Sequence, residues 1–340
     1  MISMKEIAAE CGVSVATVSK ALGDRDDISA ERKSQIRKKA REMGYLPNAA
    51  AQSLKTHRSY NIGVLFVEEA HSGITHDYYS FILESFKNTI EEKGYDLTFI
   101  NAQKKQNNHM SYIEHCRYRG FDGVFTACVN FYDPQVIELV QSEIPIVTVD
   151  HVFENRTAVI SDNAGGMIEL VKYIYSLGHR RIAYIHGRPS AVTSKRLTAF
   201  HKTLGEYGIE VPDIYLKEAD YRDSKKTAAE MKELMELPED IRPTCVLCPD
   251  DFAAFGAIST ARSMGLSIPG DISIAGYDGI QAASRMDPPL TTIFQDTLSI
   301  GKKSGESLIR LIEAPKITAA EQILIETHLV KGRSVGPVNL

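Results

Sequence analysis

Residues 4–22 read MKEIAAECGVSVATVSKAL, two short helical patterns on either side of one glycine. Ser3 precedes the first, with Glu6 three residues on, so serine hydroxyl and glutamate carboxylate can each meet a free backbone N–H, as in a capping box. Met4, Ile7, Ala8 and Cys11 recur at helical spacing and draw one apolar stripe. Gly12 supplies the turn and Ser14 caps the second helix. On it Val18, Ala21 and Leu22 face inward, which leaves Val15, Ala16, Ser19 and Lys20 outward on the first turns. Ser29 caps a third helix with Ile36, Ala40 and Met43 inward, and Gly44 ends it. Two short helices joined by a tight glycine turn, the second with a small polar outer face, form a helix-turn-helix. Small side chains let the start of such a helix sink into a major groove, where its dipole and free amides also suit phosphates.

The charge around this stretch fits a polyanionic partner. Residues 1–60 hold eleven Lys and Arg against seven Asp and Glu, whereas the remaining residues hold 28 against 37. The overall charge of −5 therefore hides a basic head on an acidic body. A length of 340 residues allows two or three domains. No apolar run approaches a membrane span, and the opening MISMKEIAAE carries Lys5, Glu6 and Glu10 where a signal peptide needs an apolar stretch. A cytoplasmic protein without a membrane partner is expected. Cysteines at 11, 116, 128, 245 and 248 are scattered, which suits a reducing compartment.

Past the third helix comes YLPNAAAQSLKT, residues 45–56, a good helix former too short to persist alone in water. From Ser3 to Leu54 the chain resembles, without a gap, the N-terminal module of the lactose/galactose repressor (LacI/GalR) family. The order G-V-S-x-x-T-V-S, then G-Y-x-P-N, then A-Q-x-L carries the resemblance. It implies that Val15, Ala16 and Lys20 lie where the family reads base edges, and Ser14, Thr17, Ser19 and Asn48 near phosphates. Ser3 and Ala51 complete the expected DNA-binding set. Residues 47–59 would form a hinge that becomes helical only on operator DNA, paired with its twin from a second subunit. Leu54 aligns with the leucine that wedges into the central minor-groove step and bends the duplex. Gly23 stands where the family usually has Asn, and Gln52 replaces a common Arg.

From Tyr60 onward short apolar runs (NIGVLFV, DLTFI, GVFTA, PIVTVD, RIAYIHG, CVLCPD, ISIAGYD) alternate with helical patterns near 78–93, 107–119, 133–142, 163–177, 194–207, 223–235, 251–264 and 298–312. Such alternation implies an α/β fold with parallel sheets covered on both faces, and the length favours two lobes. The pieces LGHRRIAYIHG, KRLTAF, PDDFAAFGA, GLSIPGDISIAGYDG and PPLTTIFQD resemble the same family's effector-binding core, a two-lobed fold shared with periplasmic sugar-binding proteins. The expected organisation is a helix-turn-helix domain at 1–46, a hinge at 47–59 and a core at 60–340. Lobe 1 would take about 60–161 and 291–322, and lobe 2 about 162–290 and 323–340.

The resemblance places Asp150, Arg196, Asp250 and Asp278 where the family contacts its effector, with Tyr221 at an aromatic wall and Tyr78 and Tyr79 after the first strand. Carboxylate and guanidinium groups bind vicinal hydroxyls by paired hydrogen bonds, and aromatic faces cover the apolar side of a ring. A sugar or polyol fits that chemistry. Asp250 departs from the family's usual Asn, and three carboxylates against one arginine would also suit a ligand with a cationic group. A nucleobase is less supported, because Ser190 and Val192 lie where purine-binding members place polar contacts.

Enzyme chemistry finds little purchase, and no cofactor or metal is expected. Cys245 and Cys248 form a C-x-x-C inside an apolar strand, where positions three apart face opposite sides of a sheet. SIGKKS has Asp296 where a phosphate loop needs glycine, and GLSIPG has Pro269 where a nucleophile elbow needs its second glycine. The reading is a homodimeric DNA-binding regulator, usually a repressor, of double-stranded near-palindromic operator DNA, controlled by a small-molecule effector. Control by a protein corepressor and a plain solute-binding protein are the alternatives.

Overall fold

The computed structural model describes residues 2–23, 25, 27–46, 58–67, 73–100 and 110–338. The hinge expectation and its residues Asn48, Ala51 and Leu54 lie outside the described residues. The chain divides into two compact units, Met1–Ser59 and Tyr60–Leu340.

In the first unit the described helices are α1 (Met4–Cys11), α2 (Val15–Leu22) and α3 (Ala30–Glu42). Each starts on the serine anticipated for it. Glu6 N–H donates to Ser3 Oγ at 3.3 Å while Ser3 N–H donates to Glu6 Oε2 at 2.7 Å, which completes the capping box. Thr17 N–H donates to Ser14 Oγ at 3.0 Å, and Arg32 N–H to Ser29 Oγ at 3.3 Å. Gly12 takes the left-handed φ of +63° that closes α1 and turns the chain into α2. Ile7, Ala8, Val18, Ala21, Ile36 and Ala40 form the buried core, with Met4, Cys11, Leu22 and Met43 packed around it.

The second unit holds β1 (Asn61–Phe66), α4 (Asp77–Glu91), β2 (Asp96–Phe99), α5 (Tyr112–Arg119), β3 (Gly123–Ala127), α6 (Pro134–Gln141), β4 (Ile146–Val149) and β5 (Thr157–Ser161). It continues with α7 (Asn163–Ser176), β6 (Ile182–His186), α8 (Ala191–Glu206), β7 (Leu216–Glu218), α9 (Ser224–Met235), β8 (Cys245–Leu247), α10 (Asp251–Ser263) and β9 (Ser273–Ala275). Last come α11 (Gln281–Arg285), β10 (Thr292–Gln295), α12 (Thr297–Glu313), β11 (Gln322–Ile325) and β12 (Thr327–Val330).

These elements form two parallel sheets. The first has the order β11-β5-β4-β3-β1-β2, and the second β7-β6-β8-β9. Strands β3, β4 and β5 are buried at every residue, and for β3 and β4 this is why GVFTA and PIVTVD read as apolar runs rather than alternating ones. Helices α4 and α12 cover the first sheet side by side. Gly301 permits their approach, because a Cβ there would stand 2.3 Å from the Ile82 carbonyl oxygen. In the second sheet Cys245 packs with Met167 and Phe200, whereas Cys248 packs with Met231 and Ala253 on the other side. Burial pushes both thiols well above their ordinary pKa. The chain passes between the lobes after β5, between β10 and α12, and between β11 and β12, where β10 and β12 pair antiparallel.

The sequence reading missed some elements. β7, β10, β11 and β12 are three or four residues each, and β11 and β12 alternate in exposure, so none carries a fully buried apolar run of the kind that marks β3 and β4. β5 has one, Ala158–Ile160, but it is bracketed by polar residues. Helix α8 begins three residues before the expected 194, because Ser190 Oγ accepts the Thr193 N–H at 3.0 Å and caps it there. Among the described residues, no helix is long and apolar enough to cross a membrane.

Candidate functional sites

The N-terminal turn of α2 is built to be reached. Ser14, Val15, Ala16 and Lys20 are exposed, Thr17 and Ser19 half-buried, and Ser3 is exposed at the start of α1. Val15 leaves 45% of its surface in solvent although it is apolar, because the core side of the helix is already taken by Val18 and Ala21. The Lys20 ammonium donates to Asp27 Oδ2 at 2.5 Å, and this pairing lowers the Asp27 pKa. The side chain expected to read a base thus rests on an acidic neighbour that the sequence reading did not single out. Arg37 Nε donates to the Ala21 carbonyl at 3.1 Å and ties α3 to the end of α2.

In the second unit a cavity of about 370 Å³ opens between the two sheets. Its walls are the loops at the carboxyl ends of parallel strands, where α/β folds present their ligand groups. All seven residues expected at the effector site line it: Tyr78, Tyr79, Asp150, Arg196, Tyr221, Asp250 and Asp278. The backbone there is unusual. Cys128, Asp150, Arg222 and Asp278 take positive φ of 55°, 63°, 59° and 110° without being glycine. Such conformations cost about 1–3 kcal/mol each and persist where the surroundings dictate them.

Arg196, from α8, is only 3% exposed. Its Nε donates to Asn163 Oδ1 at 2.7 Å and its Nη1 to the Pro249 carbonyl at 2.9 Å, while its guanidinium lies 3.5 Å over the Tyr277 ring. Burial opposes its charge, but the surrounding tyrosines and Asp278 outweigh burial and hold its pKa above the ordinary value. No hydrogen bond from a described residue engages its Nη2. Asp250 caps α10: its Oδ1 accepts the Ala253 N–H and its Oδ2 the Arg222 N–H, both at 2.7 Å. Asp278 accepts Gln295 Nε2 on Oδ1 at 2.7 Å, which leaves Oδ2 open among the described residues. The Tyr78 hydroxyl lies 3.2 Å from Asp150 Oδ2 and 3.4 Å from Gln295 Oε1, and with one proton it donates to one of them at a time. Burial pushes the carboxyls of Asp150, Asp250 and Asp278 up, and for Asp278 the Asp250 charge adds to the rise.

Tyr221 stands on the second lobe, its hydroxyl 2.9 Å from Thr193 Oγ1. Gly187, the last residue of RIAYIHG, makes room for it, since a Cβ there would lie 2.2 Å from the tyrosine ring. On the first lobe Phe131 and His151 stack at 4.7 Å with Tyr132 edge-on to the histidine at 5.8 Å, and all three face the cavity. Tyr79 lines the cavity too but packs edge-on against Phe66 at 5.8 Å and His76 at 4.9 Å. The sequence reading did not name Gln295, Asn163 or the Phe131–His151 pair. A glutamine closing the short segment TTIFQ was the signal available for Gln295; Asn163 sits beyond a strand end with no such mark. Among the described residues, no group of three or more His, Cys, Asp or Glu could hold a metal ion.

Comparison with known proteins agrees with this geometry. A family model described as bacterial regulatory proteins, lacI family, matches residues 3–48, and one for a periplasmic binding protein-like domain matches residues 171–335. The HTH-type transcriptional repressor PurR of Escherichia coli O139:H28 is 30% identical over 98% of this chain and 97% of its own length. Its counterpart from Pectobacterium atrosepticum is 31% identical over the same shares. Among solved structures, a lac repressor dimer bound to operator and the anti-inducer ONPF superposes with a TM-score of 0.82 at 25% identity, over 98% of this chain and 99% of that one. A LacI family transcriptional regulator from Enterococcus faecium with bound ribose gives a TM-score of 0.70 at 25% identity, over 82% of this chain and all of that one. With relatives at 30–31% identity along almost its entire length, this protein belongs to the lacI family of bacterial regulatory proteins.

Proposed function

We propose that this protein is a cytoplasmic transcriptional repressor that binds a near-palindromic operator as a homodimer and is switched by a sugar or polyol in the cavity between its lobes. The observation that carries the reading is the pairing, in one chain, of an exposed small-residue helix start with a cavity in which, among the described residues, Arg196 keeps a donor and Asp278 an acceptor open. Arg196 Nη2 and Asp278 Oδ2 suit a pair of hydroxyls, and the aromatic wall of Tyr221 suits the apolar side of a ring.

Residues 1–46 read the operator, and residues 47–59 form the paired hinge in which Leu54 wedges the minor groove. The core at 60–340 sets the spacing of the two hinges. A ligand that prefers one lobe angle changes the free energy of hinge pairing, and operator affinity must change by the same factor as ligand affinity. A solute-binding protein and a protein-controlled repressor are not favoured, since the head matches a regulatory family and the cavity is of small-molecule size.

Selection of duplexes from a randomised pool by the full-length protein, followed by anisotropy titration with a panel of pentoses, hexoses and polyols, tests this. Two inverted half-sites should be enriched, and at least one ligand should shift affinity. Failure to enrich any motif would remove the DNA reading; enrichment without a ligand shift would remove the effector reading.

A further inference from the structure

Tyr78 and Tyr221 face the cavity from opposite lobes, and each has a charged neighbour in sequence that does not line it: Asp77 and Arg222. Those neighbours meet. Arg222 Nη1 donates to Asp77 Oδ2 at 3.1 Å and so spans the two lobes. The arginine side chain is 11% exposed and the aspartate 49%. The guanidinium also lies 4.6 Å over the ring of Phe252, in the first turn of α10. The same residue's backbone N–H holds Asp250 Oδ2 at 2.7 Å on the cavity wall.

We infer that Asp77 and Arg222 form a latch that fixes the angle between the lobes and ties it to the ligand wall, with Arg222 as the positioning residue. A change of lobe angle pulls Asp77 away from Arg222. Because residue 222 is tied to Asp250 through its amide and to Phe252 through its side chain, the strain is delivered to the cavity rather than lost in a loop. A ligand that moves Asp250 or Tyr221 acts on the latch by the same path in reverse. The inference rests on the proposed function only for its consequence at DNA; the latch itself is read on the lobes.

The test places a fluorophore pair on exposed Arg117 and Lys232, one on each lobe, through unnatural amino acids in the full-length protein. Single-molecule energy transfer then gives the distribution of lobe separations without ligand or DNA. Asp77→Asn and Arg222→Gln should each shift the ratio of lobe states by about two- to fivefold, the span expected for a partly exposed ion pair. The double variant should go no further than either single one. Arg222→Lys and the reversed pair Asp77→Lys/Arg222→Glu should restore the original distribution, which a merely structural role for either residue does not predict. Unchanged distributions in the single variants, or single effects that add, overturn the latch. The selected duplex supplies the second reading: changed separations with unchanged operator affinity keep the latch and refute the proposed coupling to DNA.

Discussion

Asp251 offers a measurement whose size follows from its surroundings. It is fully buried at the first position of α10, where Oδ1 accepts the Thr292 hydroxyl at 2.5 Å and Oδ2 the Ile280 N–H at 2.8 Å. Burial, more than the neighbouring Asp250 charge, pushes its pKa to about 8. A carboxyl whose pKa is raised on folding keeps its proton in the native state while the unfolded chain releases it. Stability is then greatest below the unfolded pKa near 3.8 and falls as pH rises, until the folded group also ionises near 8. Each pH unit in that window costs about 1.4 kcal/mol, so the loss between pH 5 and pH 8 is about 4 kcal/mol. An asparagine in this place mimics the protonated acid, with its amide donating to Thr292 Oγ1 and its carbonyl accepting from Ile280. Asp251→Asn should therefore flatten the stability profile, and urea midpoints of both proteins at half-unit steps from pH 5 to 8 will show it. Asp150 contributes the same slope to both proteins, whereas Asp278 is raised in part by the Asp251 charge, so the difference between the two curves reports residue 251 together with that coupling. A difference that stays constant across the window would mean that Asp251 is ionised throughout, and the argument from its burial would fail.

Arg196→Lys keeps the charge but not the fork that reaches Asn163 and Pro249, so calorimetric affinity for the effector should fall at least tenfold while ligand-free operator binding persists. An unchanged affinity would show that the effector sits elsewhere. Lys20→Ala should relax preference at one base position per half-site, whereas a uniform loss across sequences in a binding selection would assign Lys20 to phosphate. Asp27→Asn frees the Lys20 ammonium from its 2.5 Å partner and should steepen the salt dependence of DNA binding; an identical slope would mean that Lys20 leaves Asp27 at no cost. Leu54→Ala should weaken specific operator binding far more than nonspecific binding, and equal losses would remove the wedge.

The head was legible because its signals are local. Ser3, Ser14 and Ser29 each satisfy an amide three residues ahead, so sequence spacing alone specifies the bond. The buried strands β1, β3 and β4 were legible for the opposite reason, as continuous apolar runs that only a covered parallel sheet explains. What escaped was the chemistry of the lobe crossings. Gln295 joins Asp278 of one lobe to Tyr78 of the other, and Asn163 orients an arginine 33 residues away. Both partnerships are made by topology, and nothing in the spacing of either residue announces them.

The acidity of the cavity bears on its ligand only through the carboxylate oxygens that the protein leaves unengaged. Beside the sugar or polyol reading, three carboxylates against one arginine would also suit a cationic group, on the premise that all three charges face it. Asp250 does not offer its charge in that way. Its two oxygens meet two backbone N–H groups at the start of a helix whose dipole already favours an anion. Asparagine has a single carbonyl oxygen and satisfies one of those amides, so an aspartate here answers to Arg222 and Ala253 before any ligand arrives. Asp150 likewise shares its oxygens with the Ser161 N–H and the Tyr78 hydroxyl, at 3.4 and 3.2 Å. Of these four charged side chains, the described residues leave Arg196 Nη2 and Asp278 Oδ2 without a hydrogen-bond partner. A donor and an acceptor on a cavity wall match adjacent hydroxyls without calling for a formal charge, and on that ground a neutral polyol fits this cavity better than an amine.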